Sequence, residues 1–170
     1  MWIYQISVPG WILEAGNHLG SLRNLNGYHL NKNRNFDRGT DQNFKGHIEG
    51  ITGELLFAIF LERKNLSYCM NKILGLNKDA DFVVTLKTEE IVKVDVKAIT
   101  NQKVFNINQM AHYRKPVDLY ALIQYGQSEA KIIVIPYKSI ETWKSKGELN
   151  NQYYSKPIIE ILNEQHHEKN

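Results

Sequence analysis

The sequence predicts an α/β protein in which a mixed central sheet is flanked by helices. Three observations carry that prediction. Ile48, Ile51, Leu55 and Ile59 recur at the spacing of one helical face. Two later runs, Asp81 to Leu86 and Ile91 to Ile99, alternate apolar and polar residues with a period of two. The elements then follow in the order helix, three strands, helix, strands, which layers helices on a sheet.

Taken in order, the start of the chain, Met1 to Gly10, is apolar but has no basic leader and is broken by Pro9-Gly10, so it does not read as a signal peptide. Trp11 to Leu22 carries apolar residues at near-helical spacing and predicts a short helix. From Arg23 to Lys45 the chain turns basic and asparagine-rich and loses its apolar periodicity. This stretch predicts a long loop or arm, either a solvated connector or a segment that contacts phosphate through Arg34, Arg38 and Lys45. The sequence thus divides into residues 1–45, an N-terminal helix and basic arm, and residues 46–170, which carry the globular α/β unit. Gly46 to Lys64 is the main helix, with Leu56 and Phe60 widening its apolar face and Asn65 suited to its C-terminal end.

A short strand is expected at Leu66 to Met70. Phe82, Val84 and Leu86 share one face of the next strand, and Val92, Val94 and Val96 share one face of the strand after it. If both faces meet one core, the register sets Asp81 opposite Asp95. A polar turn around Lys87, Thr88 and Glu89 joins them. Ile107 to Lys115 predicts a helix stopped by Pro116. Leu119 to Tyr125 and Lys131 to Tyr137 predict strands around Gly126-Gln127-Ser128, and Ser139 to Lys146 and Pro157 to Gln165 predict helices.

The composition bounds function only coarsely. With 170 residues the chain can bury a core. Its single cysteine excludes an internal disulfide and a cysteine-rich zinc site, and a reducing cytoplasm suits it. The longest apolar run, Leu55 to Leu61, is too short to span a membrane. A net charge of +3 permits a polyanionic partner without requiring one.

The chemistry lies in four residues. Asp95 and Lys97 stand two apart on a strand and therefore share a face, roughly 7 Å apart along it. A carboxylate there can hold a divalent cation while the lysine faces the water bound to it. Asp81 on the partner strand adds a second oxygen ligand, and hard cations such as Mg²⁺ are satisfied by one or two carboxylates and water. Glu54 sits on the apolar stripe of the helix among Gly50, Ile51, Phe57, Ala58 and Leu61, where a carboxylate is costly unless paired or bound to a cation. The small residues Gly50, Gly53 and Ala58 would let that helix approach the sheet.

A Gly-x-x-Gly-Glu helix (Gly50 to Glu54), an aspartate opening a strand (Asp81-Phe82-Val83-Val84) and Asp95-Val96-Lys97 on the next strand resemble the PD-(D/E)xK nuclease superfamily, which includes restriction endonucleases and Holliday-junction resolvases. The resemblance covers about Gly46 to Tyr125. It implies a restriction-endonuclease-like αβββαβ core and a Mg²⁺- or Mn²⁺-dependent endonuclease that hydrolyses DNA and leaves a 5′-phosphate. By the same resemblance Asp81, Asp95 and the Val96 carbonyl hold the metal, Glu54 holds its water or a second ion, and Lys97 positions the attacking water. A polar residue of the following helix, Gln109 or His112, would face the site. A homodimer, or a place in a larger nuclease assembly, suits the cutting of two strands. No proline precedes Asp81, which departs from the family pattern. Asp79 shares the parity of Asp81 and competes for its role.

Each residue also has a plainer reading. Lys97 pairs with Asp95 or Glu90 on a solvated strand, Asp81 belongs to a turn, and Glu54 bonds a lysine across the helix-sheet seam. Gln109 and His112 are surface residues. Arg114 and Lys115 either contact phosphate or complement the helix dipole. A non-catalytic nucleic-acid binder is the alternative function.

Overall fold

The structure is a computed structural model, and it describes residues 2–30, 40–71, 73, 79–100, 102–115, 117–148 and 152–167. Its elements are β1 (Trp2–Ser7), α1 (Gly10–Leu30), α2 (Thr40–Arg63), β2 (Ser67–Met70), β3 (Phe82–Thr85), β4 (Ile91–Ile99), β5 (Val104–Asn108), α3 (Gln109–Arg114), β6 (Leu119–Tyr125), β7 (Glu129–Pro136), β8 (Lys144–Lys146), β9 (Tyr153–Pro157) and α4 (Ile158–His167), with a 3-10 turn at Tyr137–Thr142.

Six strands form a mixed sheet in the order β1-β7-β6-β4-β3-β2, and β5-β9-β8 form a second, smaller sheet. In the large sheet β4 and β6 run parallel, and the other neighbours are antiparallel. The central strands read as nearly continuous apolar runs because both faces are covered. On one face Ala121, Ile123, Ile132 and Val134 pack with Ile12 of α1 and Leu56, Phe57 and Phe60 of α2. On the other face Tyr120, Leu122, Ile133 and Ile135 pack with Phe105 and Ile107 of β5, Tyr154 of β9 and Ile158 and Ile161 of α4.

The hairpin expected from alternation is present. Phe82 pairs with Val94 and Val84 with Val92, and Phe82, Val84, Val92, Val94 and Val96 are all buried in the core under α2. One step beyond the last pair, the same register sets Asp81 opposite Asp95. The turn between these strands holds Glu89 at φ 66°, and Asn65 ends α2 at φ 52°, the left-handed geometry that closes a helix.

Several boundaries differ from the sequence expectation, each for a packing reason. Trp2–Ser7 is a strand, because its residues pair along the edge of β7. The first helix runs on to Leu30 and the main helix starts at Thr40, so much of the supposed arm is helical. Gly20 permits α1 to close on α2: a Cβ there would lie 2.8 Å from Ile48 Cα. Residues 31–39, with Arg34 and Arg38, lie outside the described residues. Ile107 and Asn108 belong to β5 rather than to the start of a helix, since β9 supplies a ladder for that strand, and α3 begins only at Gln109. Of the helix expected over Ser139 to Lys146, only Ser139 to Thr142 is helical, as the end of the 3-10 turn, and Lys144–Lys146 pair with β9 instead.

Gly53 lets α2 lie close on the large sheet: a Cβ there would come 2.3 Å from the Cβ of Ala98 and 3.4 Å from Val96 Cγ1. Glycine to alanine inside a helix normally stabilises by about 1 kcal/mol. Gly53→Ala is instead expected to destabilise by about 1–3 kcal/mol, the usual effect of overpacking, read as a lowered midpoint in chemical denaturation.

Candidate active site

Strands β3 and β4 bring two carboxylates together. Asp95 sits between Val94 and Val96, whose side chains enter the core under α2, and so projects to the other face. Its residue is 1% exposed. Asp81 stands just before β3, and its Oδ2 accepts a hydrogen bond from the Val96 backbone N–H at 2.8 Å. This bond ties the two strands together where the chemistry is expected. Asp79 is exposed, so Asp81 is the aspartate that joins the cluster.

Two ammonium groups complete it. Lys97 lies against Asp95 Oδ2 as an ion pair. Lys115, which follows α3, approaches Asp95 Oδ1 at 2.5 Å and Asp81 Oδ1 at 3.4 Å. The burial of Asp95 would push its carboxyl up, but Lys97 and Lys115 outweigh burial and hold it below the usual range. Burial lowers Lys97, while Asp95 and Asp81 outweigh that and keep it above its ordinary value. Asp81 goes the other way. Burial first, then the charge of Asp95 and of Glu54, raise it to about 6 against the pull of Lys97 and Lys115.

Glu54 is buried on α2, as its apolar stripe required, and its charge is felt at both Asp81 and Lys97. Its carboxylate, however, is clamped by Arg23 of α1 through two bonds of 2.9 and 2.8 Å. Arg23 also donates through Nε to the Ile73 carbonyl at 2.5 Å. The sequence placed Arg23 in a loop and so missed it. The signal was the cost of a carboxylate on an apolar stripe, which calls for a basic partner.

The remaining expected residues are scattered. His112 is wholly buried rather than at the surface, stacked on Tyr137 at 3.9 Å between ring centroids and hydrogen-bonded through Nδ1 to the Tyr120 hydroxyl at 3.0 Å. It stands behind Tyr120, the β6 neighbour of Asp95. Burial lowers its basicity despite Glu141 and Asp95. Gln109 turns away, donating to Ser145 Oγ at 2.8 Å. Arg114 is exposed on α3. Lys45 is exposed and 3.8 Å from Glu49 in the next turn of α2.

Among the described residues, no three His, Cys, Asp or Glu side chains stand close enough to form a metal-holding group. Asp81 and Asp95 are two carboxylates, and a pair of that kind could hold Mg²⁺ or Mn²⁺, ions that fill the rest of their shell with water and phosphate oxygens. Two features fit such an ion. Lys115 already places a positive charge between Asp81 and Asp95. Asp95 Oδ2 is buried against the Lys97 ammonium as an ion pair, which leaves Oδ1 as the oxygen turned toward Asp81 and Lys115.

A cation held by Asp81 would compete with a proton, so its affinity is expected to fall as pH drops through about 6 and to level off above it. The sign for stability follows from the same shift. A carboxyl raised from 3.8 to about 6 is ionised at a cost at neutral pH, and that cost fades as pH falls through about 6 towards 3.8. Asp81→Asn is thus expected to raise the melting midpoint at neutral pH, with a gain that shrinks under acid, while it weakens cation binding. Melts and Mn²⁺ titrations across this range check both.

Among the described residues, no helix is long and apolar enough to cross a membrane. Compared with protein-family models, with curated proteins and with solved structures, the chain matches none.

Proposed function

We propose that this chain is a metal-dependent nuclease that hydrolyses phosphodiester bonds in DNA, with a restriction-endonuclease-like core. One observation carries the reading: Asp81 and Asp95 meet across β3 and β4, with the Lys97 ammonium against Asp95. The order α2-β2-β3-β4-α3-β6, with β5 inserted, supports the αβββαβ core and the likeness to the PD-(D/E)xK nucleases. Asp81 and Asp95, with the Val96 carbonyl, would hold Mg²⁺ or Mn²⁺. Such an ion makes hydroxide accessible near neutral pH and stabilises charge developing on the phosphate.

The protein's own groups do the rest. Lys97, kept protonated by the two aspartates, orients the attacking water and offsets charge on the phosphate in the transition state. The hydrogen bond from the Val96 N–H to Asp81 fixes that carboxylate so that it need not reorganise. Glu54, held by Arg23, adds negative charge beside the seat and orients water around it. Exposed Arg114 and Lys45 supply phosphate contacts of the kind that position DNA without reading sequence. A homodimer would present two such sites to two strands.

The test is incubation of supercoiled plasmid and of a synthetic four-way junction with the protein, in Mg²⁺ and in EDTA. Cutting in Mg²⁺ that EDTA stops supports the nuclease, and preference for the junction selects structure-directed cleavage. Tight DNA binding with no cutting in Mg²⁺ or Mn²⁺ would instead favour a non-catalytic nucleic-acid binder.

A further inference from the structure

We propose that Lys115 is an internal competitor for the cation seat, bridging Asp81 and Asp95 so that a divalent ion can enter between them only by displacing it. The inference rests on the metal-site reading above and deepens it. The sequence offered Lys115 two roles, a phosphate contact or a dipole partner at the end of α3. The geometry points to a third.

The two lysines divide the oxygens of Asp95. Lys97 takes Oδ2, while Lys115 takes Oδ1 at 2.5 Å and reaches Asp81 Oδ1 at 3.4 Å. A Mg²⁺ or Mn²⁺ ion bonding those same Oδ1 atoms at about 2.1 Å would lie within contact distance of the Lys115 ammonium. Two positive charges so close in a partly buried site repel strongly. Lys97 can remain on Oδ2 as the ion enters. Lys115 cannot remain where it is.

The chain builds Lys115 to be anchored at its base and loose at its tip. Its N–H closes α3 on the Ala111 and His112 carbonyls at 3.2 and 3.4 Å, and its backbone is extended at φ −105° and ψ 102°. The proline that follows in the sequence favours that geometry. His112, buried and stacked on Tyr137, pins the helix. The side chain itself is 18% exposed, near enough to solvent for a four-carbon stem to swing the ammonium outward.

Charge favours the exchange. Two carboxylates against two ammoniums make a neutral cluster, which lets both aspartates be buried together. Exchange of Lys115 for a divalent ion leaves a net positive seat suited to a phosphodiester anion, with the released ammonium still in reach of that anion. Lys115 thereby sets the cation concentration at which the site loads, and it holds the carboxylates in place below that concentration.

Mn²⁺ alone, titrated calorimetrically into the full chain, tests this. Lys115→Gln is expected to bind on the order of tenfold more tightly than the wild type, as when any competing state is removed, and to gain a larger thermal shift from Mn²⁺. A second measurement needs no variant: reductive methylation read by mass spectrometry should find Lys115 protected without Mn²⁺ and reactive with it. Equal or weaker Mn²⁺ binding by Lys115→Gln, or unchanged Lys115 reactivity in a wild type that binds Mn²⁺, would overturn the inference and leave the metal site standing. No Mn²⁺ binding by either protein would overturn both.

Discussion

Arg23→Met is expected to destabilise the protein by about 3–5 kcal/mol, the cost of stranding a buried charge whose partner is removed. The guanidinium bonds both Glu54 oxygens, and the two side chains are only 11% and 9% exposed. In the variant the Glu54 carboxylate has lost both bonds but stays on an apolar stripe of α2. The Ile73 carbonyl loses its donor as well. Pairing the change with Glu54→Met should recover much of the loss, because a buried ion pair exchanged for apolar side chains is often close to neutral. Urea denaturation of the two variants decides it. A single-variant loss below about 1 kcal/mol would class the pair with surface ion pairs and remove the argument that Glu54 is held in place by Arg23.

Lys97→Met is expected to lower metal-dependent cleavage roughly 10²–10³-fold, the range for losing one group that stabilises transition-state charge. The side chain is 34% exposed, and methionine keeps an apolar stem of similar length in its place. Asp95 keeps Lys115 as a counter-ion, and the fold should survive. The loss should fall on kcat rather than on DNA affinity, because Lys97 is asked to act on the water and the developing charge. Lys97→Arg should not restore the rate, since a planar guanidinium cannot replace a compact ammonium at this distance. Single-turnover cleavage with saturating Mg²⁺ measures this, and a rate near wild type would remove Lys97 from the chemistry.

The hairpin and its two aspartates were legible in the sequence because alternation with one buried face leaves a single register. Phe82 facing Val94 is the whole of that inference, and Asp81 opposite Asp95 follows from it. The main helix was legible from its stripe, and so was the burial of Glu54. What the sequence hid depends on partners distant in the chain. Trp2–Ser7 has no strong alternation of its own and becomes a strand by pairing with β7. Residues 104–108 and 153–157 each need the other to form a ladder. Arg23 and Lys115 carry no motif: one reaches 31 residues along the chain to Glu54, the other 34 and 20 residues back to Asp81 and Asp95. His112 looked like a surface residue because a six-residue helix shows too little periodicity to reveal its buried face.

Asp81 and Asp95 as the seat of a divalent cation are tested most directly by residue-resolved NMR with sub-stoichiometric Mn²⁺. The paramagnetic ion broadens the amides nearest to it first. Early loss of the Phe82, Val96 and Lys97 signals is expected, with their retention in Asp95→Asn. Broadening that begins elsewhere, or that is unchanged in Asp95→Asn, would contradict that seat.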